Sequence, residues 1–157
     1  MATIVIMGGG PAGYEAALVA AQLGADVTVI ERDGLGGACV LYDCVPSKTF
    51  LASSGARAGL HRMGELGIDL DTHSAGVDLR KVHGRVKGLA LAQSADIRAR
   101  LQREGVRVIM GTARFCDPEP GLAEHHIEVI EHSGARQVLK ADVALIATGS
   151  TPRVLPG

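Results

Sequence analysis

The sequence of 157 residues predicts an α/β fold, in which a parallel sheet carries flanking helices and a small antiparallel β-meander. Near the start, a β-branched apolar run, a glycine-rich turn, an alanine-rich segment at helical spacing and a second apolar run follow one another. A long segment of helical periodicity lies between about Asp78 and Glu104. Further along, apolar and polar residues alternate, which is typical of paired strands.

The first unit is predicted as strand, turn, helix and strand. TIVIM at residues 3–7 is the first strand, the helix runs from Tyr14 to Gly24, and VTVI from Val27 to Ile30 is the second strand. Short runs of β-branched apolar residues bounded by glycine fit strands that are buried in a parallel sheet. Glu31 ends the second strand and completes the unit.

The turn GGGPAG between the first strand and the helix satisfies the pattern GxGxxG. Its glycines let the backbone turn tightly and approach a pyrophosphate, whose charge is met by the helix N-terminus. Glu31 follows Gly13 by 18 residues and is predicted to accept bonds from a pair of ribose hydroxyls. A glycine-rich turn without a ligand would not require this acid. FAD and NAD both carry a pyrophosphate and a ribose with free hydroxyls, so both fit this pattern. The turn residues that we assign to the cofactor are Gly8, Gly10, Pro11, Ala12 and Gly13.

The segment GGACVLYDCVPSK, residues 36–48, is predicted to be a redox device. Cys39 and Cys44 are close enough to form a small disulfide ring, which would sit in a bent segment and be easily reduced. Pro46 suits the first turn of a helix and places Cys44 at the positive end, where a thiolate is stabilised. Lys48 lies four residues after Cys44, on the same helical face.

Two other interpretations of the cysteines stay open. Free cysteine is among the most buried residue types, so the pair could serve packing alone. Cys39, Cys44 and Cys116 could also bind zinc together with His125 or His126. The sequence around Cys116 does not resemble a second zinc knuckle, and a zinc loop requires neither the glycine pair nor the proline and lysine that follow.

The amino-acid composition limits the number of domains, the partners and the compartment that we expect. With 46% apolar and 21% charged residues, the chain has the composition of one globular domain. A net charge of −1 with scattered Lys and Arg indicates neither nucleic acid nor an anionic membrane as partner. The chain contains no apolar run near the ~18 residues of a spanning helix and no evident signal peptide. Three cysteines indicate a reducing compartment, so we expect a cytoplasmic protein.

These motifs together resemble a known family. GGGPAG, Glu31 and the segment 36–48 look like the N-terminal FAD-binding part of the flavoprotein disulfide reductases, or class I pyridine nucleotide-disulfide oxidoreductases, which include dihydrolipoamide dehydrogenase, glutathione reductase and mercuric reductase. VALIATGSTPRVLPG, residues 143–157, is similar to the family's second flavin-contacting strand, which ends in Ala-Thr-Gly. GTARF, residues 111–115, is similar to the segment whose backbone reaches the adenine, which makes Ala113 the candidate there.

The resemblance implies the Rossmann-like FAD domain of a two-dinucleotide-binding-domain flavoprotein, with tightly bound FAD and with NAD(P)H as co-substrate. Cys44 would be the flavin-side, charge-transfer sulfur and Cys39 the interchange sulfur, with Lys48 near the reactive edge of the isoalloxazine. The complete set of residues assigned to the cofactor is Gly8, Gly10, Pro11, Ala12, Gly13, Glu31, Arg32, Gly37, Ala38, Lys48, Ala113, Thr148 and Gly149.

The chain departs from the family pattern at two positions. Ala38 stands where threonine usually precedes the first cysteine, and Asp43 stands where glycine usually precedes the second. We expect the carboxylate of Asp43 to raise the pKa of Cys44 by like charge. The segment VLYDCVPSKT looks more like actinobacterial NAD(P)H quinone reductases related to dihydrolipoamide dehydrogenase, in which the first cysteine can be missing.

The predicted function is therefore that of an FAD-dependent NAD(P)H oxidoreductase that passes electrons to a quinone. A dihydrolipoamide dehydrogenase acting on a small disulfide is the alternative, and a non-catalytic nucleotide-binding module that senses oxidation is an alternative of another class. The resemblance covers residues 1–157 as an FAD-binding domain, about the first third of a family member. The NAD(P)-binding and dimerisation domains are absent, so we expect this part alone to be inactive and the full-length protein to be a homodimer.

The remaining elements complete the prediction. We expect a helix from Pro46 to about Arg62, a glycine-rich loop through Gly76, and a strand at residues 106–110. HHIEVIEH and RQVLKADVALIA are predicted as antiparallel strands joined by a turn at Ser133 and Gly134, after a polar turn at Gly121.

Overall fold

The computed structural model describes residues 1–69, 71, 75–116, 124–151 and 155. The predicted turn at Gly121, residues 70 and 72–74 of the predicted loop, and residues 152–154 and 156–157 of the family-like segment lie outside these ranges. The strands are β1 (Thr3–Met7), β2 (Asp26–Glu31), β3 (Arg107–Phe115), β4 (His125–Glu131), β5 (Arg136–Ala141) and β6 (Val143–Ile146). The helices are α1 (Pro11–Gln22), α2 (Gly37–Leu41), α3 (Cys44–Gly59) and α4 (Leu79–Arg103), and α3 continues as a 3₁₀ helix over Leu60–Leu66.

The strands form one sheet in the order β5-β4-β3-β2-β1-β6. β3, β2, β1 and β6 pair in parallel, whereas β3, β4 and β5 form an antiparallel meander. β3 belongs to both parts, because residues 107–110 pair with β2 and residues 111–115 pair with β4. Gly111 lies at this change of partner. A Cβ atom there would lie 2.3 Å from the carbonyl oxygen of Ile130, so the close approach of the two strands requires glycine.

Apolar clusters cover both faces of the parallel sheet. On one face, Ile6, Val27 and Val29 of the strands pack against Leu18 of α1 and Leu101 of α4. On the other face, strand residues pack against the meander, and the buried members of this second cluster are Val5, Met7, Ile30, Ile109, Ile127, Val129 and Ala141. The fold is therefore three layers, with helices on one side of the sheet and the meander on the other. The predicted fold class is confirmed.

Most local elements follow the sequence prediction. α4 begins after Asp78, whose Oδ1 accepts bonds from the backbone N–H groups of Arg80 and Lys81 and so caps the helix. α1 begins at Pro11, earlier than predicted. α3 begins at Cys44 and contains Pro46 in its first turn. The short helix α2 was not predicted, because a five-residue helix after two glycines has no periodic signal of its own.

The prediction for RQVLKADVALIA was wrong in one respect. These residues form two strands, and only β5 pairs antiparallel with β4, whereas β6 pairs in parallel with β1. Asp142 separates them. Its Oδ2 accepts from the N–H of Thr3 at 2.7 Å and its own N–H donates to the carbonyl of Thr3 at 2.9 Å, which directs the chain onto β1. No helix among the described residues is long and apolar enough to cross a membrane.

Candidate functional site

The glycine-rich turn after β1 is tightly packed at three of its glycines, which are Gly8, Gly9 and Gly13. Gly8 has a φ of +110°, and a Cβ atom there would lie 2.1 Å from the carbonyl oxygen of Ala147. A Cβ atom on Gly13 would lie 1.9 Å from the carbonyl oxygen of Gly8. Gly10 differs, since the nearest atom to its Cβ position is 4.0 Å away. The turn therefore leaves the backbone at Gly10 open to close approach by a ligand.

The N-terminus of α1 is suited to an anion. Gly10 precedes the helix and supplies no side-chain cap, and Pro11 at the first helical position has no N–H. Tyr14 is the first residue whose N–H bonds back to Gly10, at 2.9 Å. The N–H groups of Ala12 and Gly13 thus point out of the helix end, and the first turn contains no acidic residue. The positive end of the helix dipole favours a phosphate here.

A cleft of about 160 Å³ opens at the carboxyl ends of β1 and β2, beside the middle of β3. It brings together five residues that the sequence assigned to the cofactor, namely Gly8, Glu31, Arg32, Ala113 and Thr148. Its other lining residues, which were not predicted from the sequence, are Met7, Ile30, Asp33, Gly111 and Thr112. Met7 is the last residue of β1 and Ile30 the last but one of β2, and the carboxyl ends of parallel strands are the usual position of a ligand crevice, so that rule would have found these two.

Glu31 is buried, with 8% of its surface exposed, and its carboxylate already accepts three backbone hydrogen bonds. Oε2 accepts from the N–H of Gly9 at 2.6 Å. Oε1 accepts from the N–H of Asp33 at 2.6 Å and from that of Gly34 at 3.1 Å. A carboxylate has about four lone-pair sites, so roughly one is left for a ligand while these bonds persist. The assignment of Glu31 to a pair of ribose hydroxyls stays a prediction.

Arg32 and Asp33 form a pair at the rim of the cleft. The guanidinium Nε and Nη2 lie 3.2 and 3.0 Å from the two carboxylate oxygens of Asp33. This contact lowers the pKa of Asp33 and raises that of Arg32. Both side chains are largely exposed, so the pair adds little to stability. It holds the arginine beside the opening of the cleft.

The predicted thiol pair is brought together. Cys39 lies in α2 and Cys44 is the first residue of α3, and both are half-buried free thiols. The chain bends at Tyr42 and Asp43 between the two helices, as the spacing predicts. Hydrogen bonding with Cys44 is the largest cause of a raised pKa at Cys39, followed by burial.

Two charged neighbours act on the same thiol in opposite directions. Lys48, exposed on α3, lowers the pKa of Cys39, and Asp43 raises it. The predicted effect of Asp43 on Cys44 stays a prediction, and at Cys39 the carboxylate of Asp43 is the smallest of the causes that raise the pKa. These two charges therefore have opposite effects on the pKa of Cys39 in α2.

The start of α2 lies against the glycine-rich turn. The N–H of Gly36 donates to the carbonyl of Gly9 at 2.8 Å, and a Cβ atom on Gly37 would lie 2.9 Å from the Cα of Gly10. Cys39 follows Gly37 by two residues, so their Cα atoms are no more than about 8 Å apart. The thiol pair is thus next to the helix end that suits an anion.

Two other residues that were assigned to the cofactor lie near the thiol pair or the cleft. Ala38 lies in the first turn of α2, and Gly149, with a φ of +66°, follows Thr148 at the rim of the cleft.

The third cysteine, Cys116, follows β3, and its N–H donates to the carbonyl of His126 in the meander, so it lies on a different layer from α2 and α3. Within the described ranges, no group of three or more His, Cys, Asp or Glu residues is placed to hold a metal ion.

Comparison with known sequences supports the predicted family. The family profile described as pyridine nucleotide-disulphide oxidoreductase matches residues 2–157. The chain is 54% identical over 156 residues to NAD(P)H dehydrogenase (quinone) of Mycobacterium tuberculosis, which covers 98% of the chain and 32% of that protein. It is 34% identical over 154 residues to dihydrolipoyl dehydrogenase of Bacillus subtilis, with the same two coverages of 98% and 32%.

Solved structures agree with the sequence comparison. The crystal structure of LpdA from Mycobacterium tuberculosis has a TM-score of 0.91 and 52% identity, and covers 99% of this chain and 33% of that one. The flavoprotein disulfide reductase RclA from Escherichia coli, at 22% identity and a TM-score of 0.75, shares the fold over 98% of this chain and 29% of its own. The chain spans about a third of the length of these relatives. The predicted family is confirmed, and the chain belongs to the pyridine nucleotide-disulphide oxidoreductases.

Proposed function

We propose that residues 1–157 are the FAD-binding domain of an oxidoreductase that passes electrons from NAD(P)H through FAD to a quinone. The observation that carries this proposal is the cleft in which five sequence-assigned residues meet, next to a helix end suited to phosphate and to a segment with two thiols in contact. The 54% identity to a protein named NAD(P)H dehydrogenase (quinone) supports the choice of acceptor.

The residues present fit the ADP half of FAD. The pyrophosphate would lie at the N-terminus of α1, where Ala12 and Gly13 have free N–H groups and Gly10 has no side chain in the way. The adenosine would occupy the cleft, with Glu31 accepting a bond from a ribose hydroxyl and the backbone at Ala113 beside the adenine. A buried carboxylate here disfavours a 2′-phosphate. When bound, FAD supplies reversible two-electron transfer from NAD(P)H.

The chain's own residues would then serve the reaction in three ways. The glycine-rich turn and Glu31 hold and orient the nucleotide. Cys44 lies at the positive end of α3, where the helix dipole favours negative charge. Lys48 lies one helical turn further along and contributes positive charge near the pair. Cys39 would be the thiol that exchanges with an external disulfide.

A disulfide substrate is the second candidate. The contact between Cys39 and Cys44 and the 34% identity to a dihydrolipoyl dehydrogenase favour it. The alternative of another class, a module that binds nucleotide and senses oxidation, needs only the cleft and the thiols. Turnover of NAD(P)H by the full-length protein separates both oxidoreductases from the module, and the acceptor that is reduced separates the two oxidoreductases.

The deciding experiment compares turnover of the full-length protein with menadione and with lipoamide, for the wild type and for Cys39→Ser. We expect menadione reduction to survive the substitution and lipoamide reduction to be lost, since only the disulfide route needs an interchange thiol. Cys116→Ser is the matched control, because this thiol lies in the meander layer. Loss of both activities in Cys39→Ser would count against the quinone assignment.

The proposal extends to location and assembly. A cytoplasmic homodimer is proposed, on the composition and the family resemblance described above. Light scattering of the full-length protein at several concentrations tests the dimer, and a mass equal to one chain throughout would rule it out. Fractionation of cells that produce the protein tests the compartment.

A further inference from the structure

We propose that Glu31 also acts as a positioning residue for the segment that carries Cys39, so that one carboxylate serves both the nucleotide cleft and the thiol pair. The inference rests on the part of the proposed function that makes Cys39 and Cys44 a redox pair. It goes beyond the expected contact with a ribose, because the partners involved are backbone groups of this chain.

The first step is the position of the carboxylate between two loops. Oε2 accepts from Gly9 in the glycine-rich turn, whereas Oε1 accepts from Asp33 and Gly34 in the segment after β2. The bond to Gly9 is buried, and Glu31 itself is 8% exposed. A single buried side chain therefore joins the two loops through all three bonds.

The second step is that further hydrogen bonds carry this link to α2. The N–H of Gly36 donates to the carbonyl of Gly9 at 2.8 Å. The N–H of Gly37 donates to the carbonyl of Gly34 at 3.1 Å, and that of Val40 to the carbonyl of Gly36 at 3.3 Å. An unbroken series of bonds thus runs from Glu31 to the residue after Cys39.

The third step is that packing leaves this segment little freedom. Leu35 and Val40 are 1% and 2% exposed and belong to the core cluster on the helical face of the sheet. A Cβ atom on Gly9 would lie 2.6 Å from Cδ2 of Leu35, and one on Gly36 would lie 2.5 Å from Cβ of Val40. Because these neighbours are closely packed, a shift of the segment at Asp33 or Gly34 is transmitted to Cys39.

The consequence concerns the equilibrium between the two thiols and their disulfide. Cys39 and Cys44 with one glutathione disulfide give one intramolecular disulfide and two glutathione thiols, so the pair loses two electrons and glutathione disulfide gains them. The equilibrium constant depends on how closely the protein holds the two sulfurs, that is, on their effective concentration. Removing the carboxylate leaves three backbone donors without their acceptor and loosens the segment.

The test measures this equilibrium in the full-length protein, in glutathione buffers of defined ratio. The fraction of paired thiol is obtained by alkylation and mass spectrometry, in a Cys116→Ser background that removes the third thiol of residues 1–157. Glu31→Ala is expected to lower the equilibrium constant by about tenfold or more. Glu31→Gln should give a smaller decrease, because its single carbonyl oxygen can still accept from Asp33 and Gly34 but not also serve Gly9.

Two controls separate positioning from other effects. Asp33→Asn removes a negative charge from the same segment but keeps the backbone N–H that bonds to Glu31. Wild-type protein stripped of its nucleotide shows what loss of the cofactor alone does to the thiols. For both, the equilibrium constant between the two thiols and their disulfide is expected to stay within about threefold of that of the wild type as purified. If Glu31→Ala does not fold, Glu31→Gln, which keeps the volume of the side chain, decides the question.

The proposal is overturned if the Glu31 variants match wild-type protein stripped of nucleotide, since the effect would then act through the cofactor. It is also overturned if the foldable Glu31 variants leave the equilibrium unchanged. Because the thiols are measured without turnover, a protein that fails to reduce quinones, or that binds no FAD, would refute the proposed function and still give a clear result here.

Discussion

The carbonyl oxygen of Ala147 lies 2.1 Å from the position that a Cβ atom of Gly8 would occupy. These residues directly follow β6 and β1, which pair in parallel, and the N–H of Ala147 donates to the carbonyl of Met7 at 2.8 Å. The two strand ends therefore converge at the mouth of the cleft. Gly8 and Thr148 both line that cleft, so the packing of the strands and the shape of the site depend on each other.

Gly8→Ala is expected to destabilise the fold. Its φ of +110° is unfavourable for a residue with a Cβ atom, at a cost of roughly 1–2 kcal/mol, and the overlap with Ala147 adds to this. Urea unfolding of residues 1–157 followed by circular dichroism measures the loss. A variant as stable as the wild type would show that the turn does not have the described conformation.

Gly10→Ala is expected to behave in the opposite way. Its Cβ position has no atom closer than 4.0 Å, so the free energy of unfolding should change by no more than about 0.5 kcal/mol. The added methyl group would project towards the proposed pyrophosphate, and the affinity for FAD should fall. Titration with FAD, read by quenching of its fluorescence, measures this. Unchanged affinity would place the phosphate elsewhere.

Gly111→Ala tests the bend in β3. A Cβ atom would lie 2.3 Å from the carbonyl oxygen of Ile130 and 2.8 Å from the Cα of Glu131, so we expect a loss of about 1–3 kcal/mol from overpacking. Gly88→Ala in α4 is the matched control. Its Cβ position has no neighbour within 4 Å, so the helix should gain about 0.5–1 kcal/mol. Equal effects of the two changes on urea unfolding would contradict the described bend.

The raised pKa of Cys39 predicts a pH dependence of its reactivity. Alkylation needs the thiolate, so its rate should rise with pH through a midpoint above that of a free cysteine measured under the same conditions. Lys48 lowers this pKa, so Lys48→Met should move the midpoint to higher pH, whereas Lys48→Arg keeps the charge and should not. Mass spectrometry of the Cys39 peptide after timed exposure to iodoacetamide measures both. A midpoint that falls in Lys48→Met would refute the assigned direction.

The sequence predicted those features that depend on nearby residues. β1, α1 and β2 follow from apolar runs on either side of a glycine-rich turn, and the start of α4 follows from Asp78 as its cap. Neighbours in sequence also sufficed to place Cys44 at the start of α3, because Pro46 is best accommodated in the first turn of a helix.

Features that depend on distant partners were not predictable in the same way. β5 and β6 read as one alternating run, and only the contact of Asp142 with Thr3 shows that the chain changes partners there. Glu31 was assigned to a ligand from its place at the end of β2. Its bond to Gly9, 22 positions away in the sequence, depends on how two loops fold towards each other, which no local pattern reports.

The visible absorption spectrum of the full-length protein, as purified and after reduction by NADH, tests whether the chain holds FAD beside Cys44. We expect a yellow protein with flavin bands, and a long-wavelength charge-transfer band on reduction that disappears in Cys44→Ser and persists in Cys116→Ser. A colourless protein that retains NAD, or a long-wavelength band that is unchanged in Cys44→Ser, would contradict this placement of FAD.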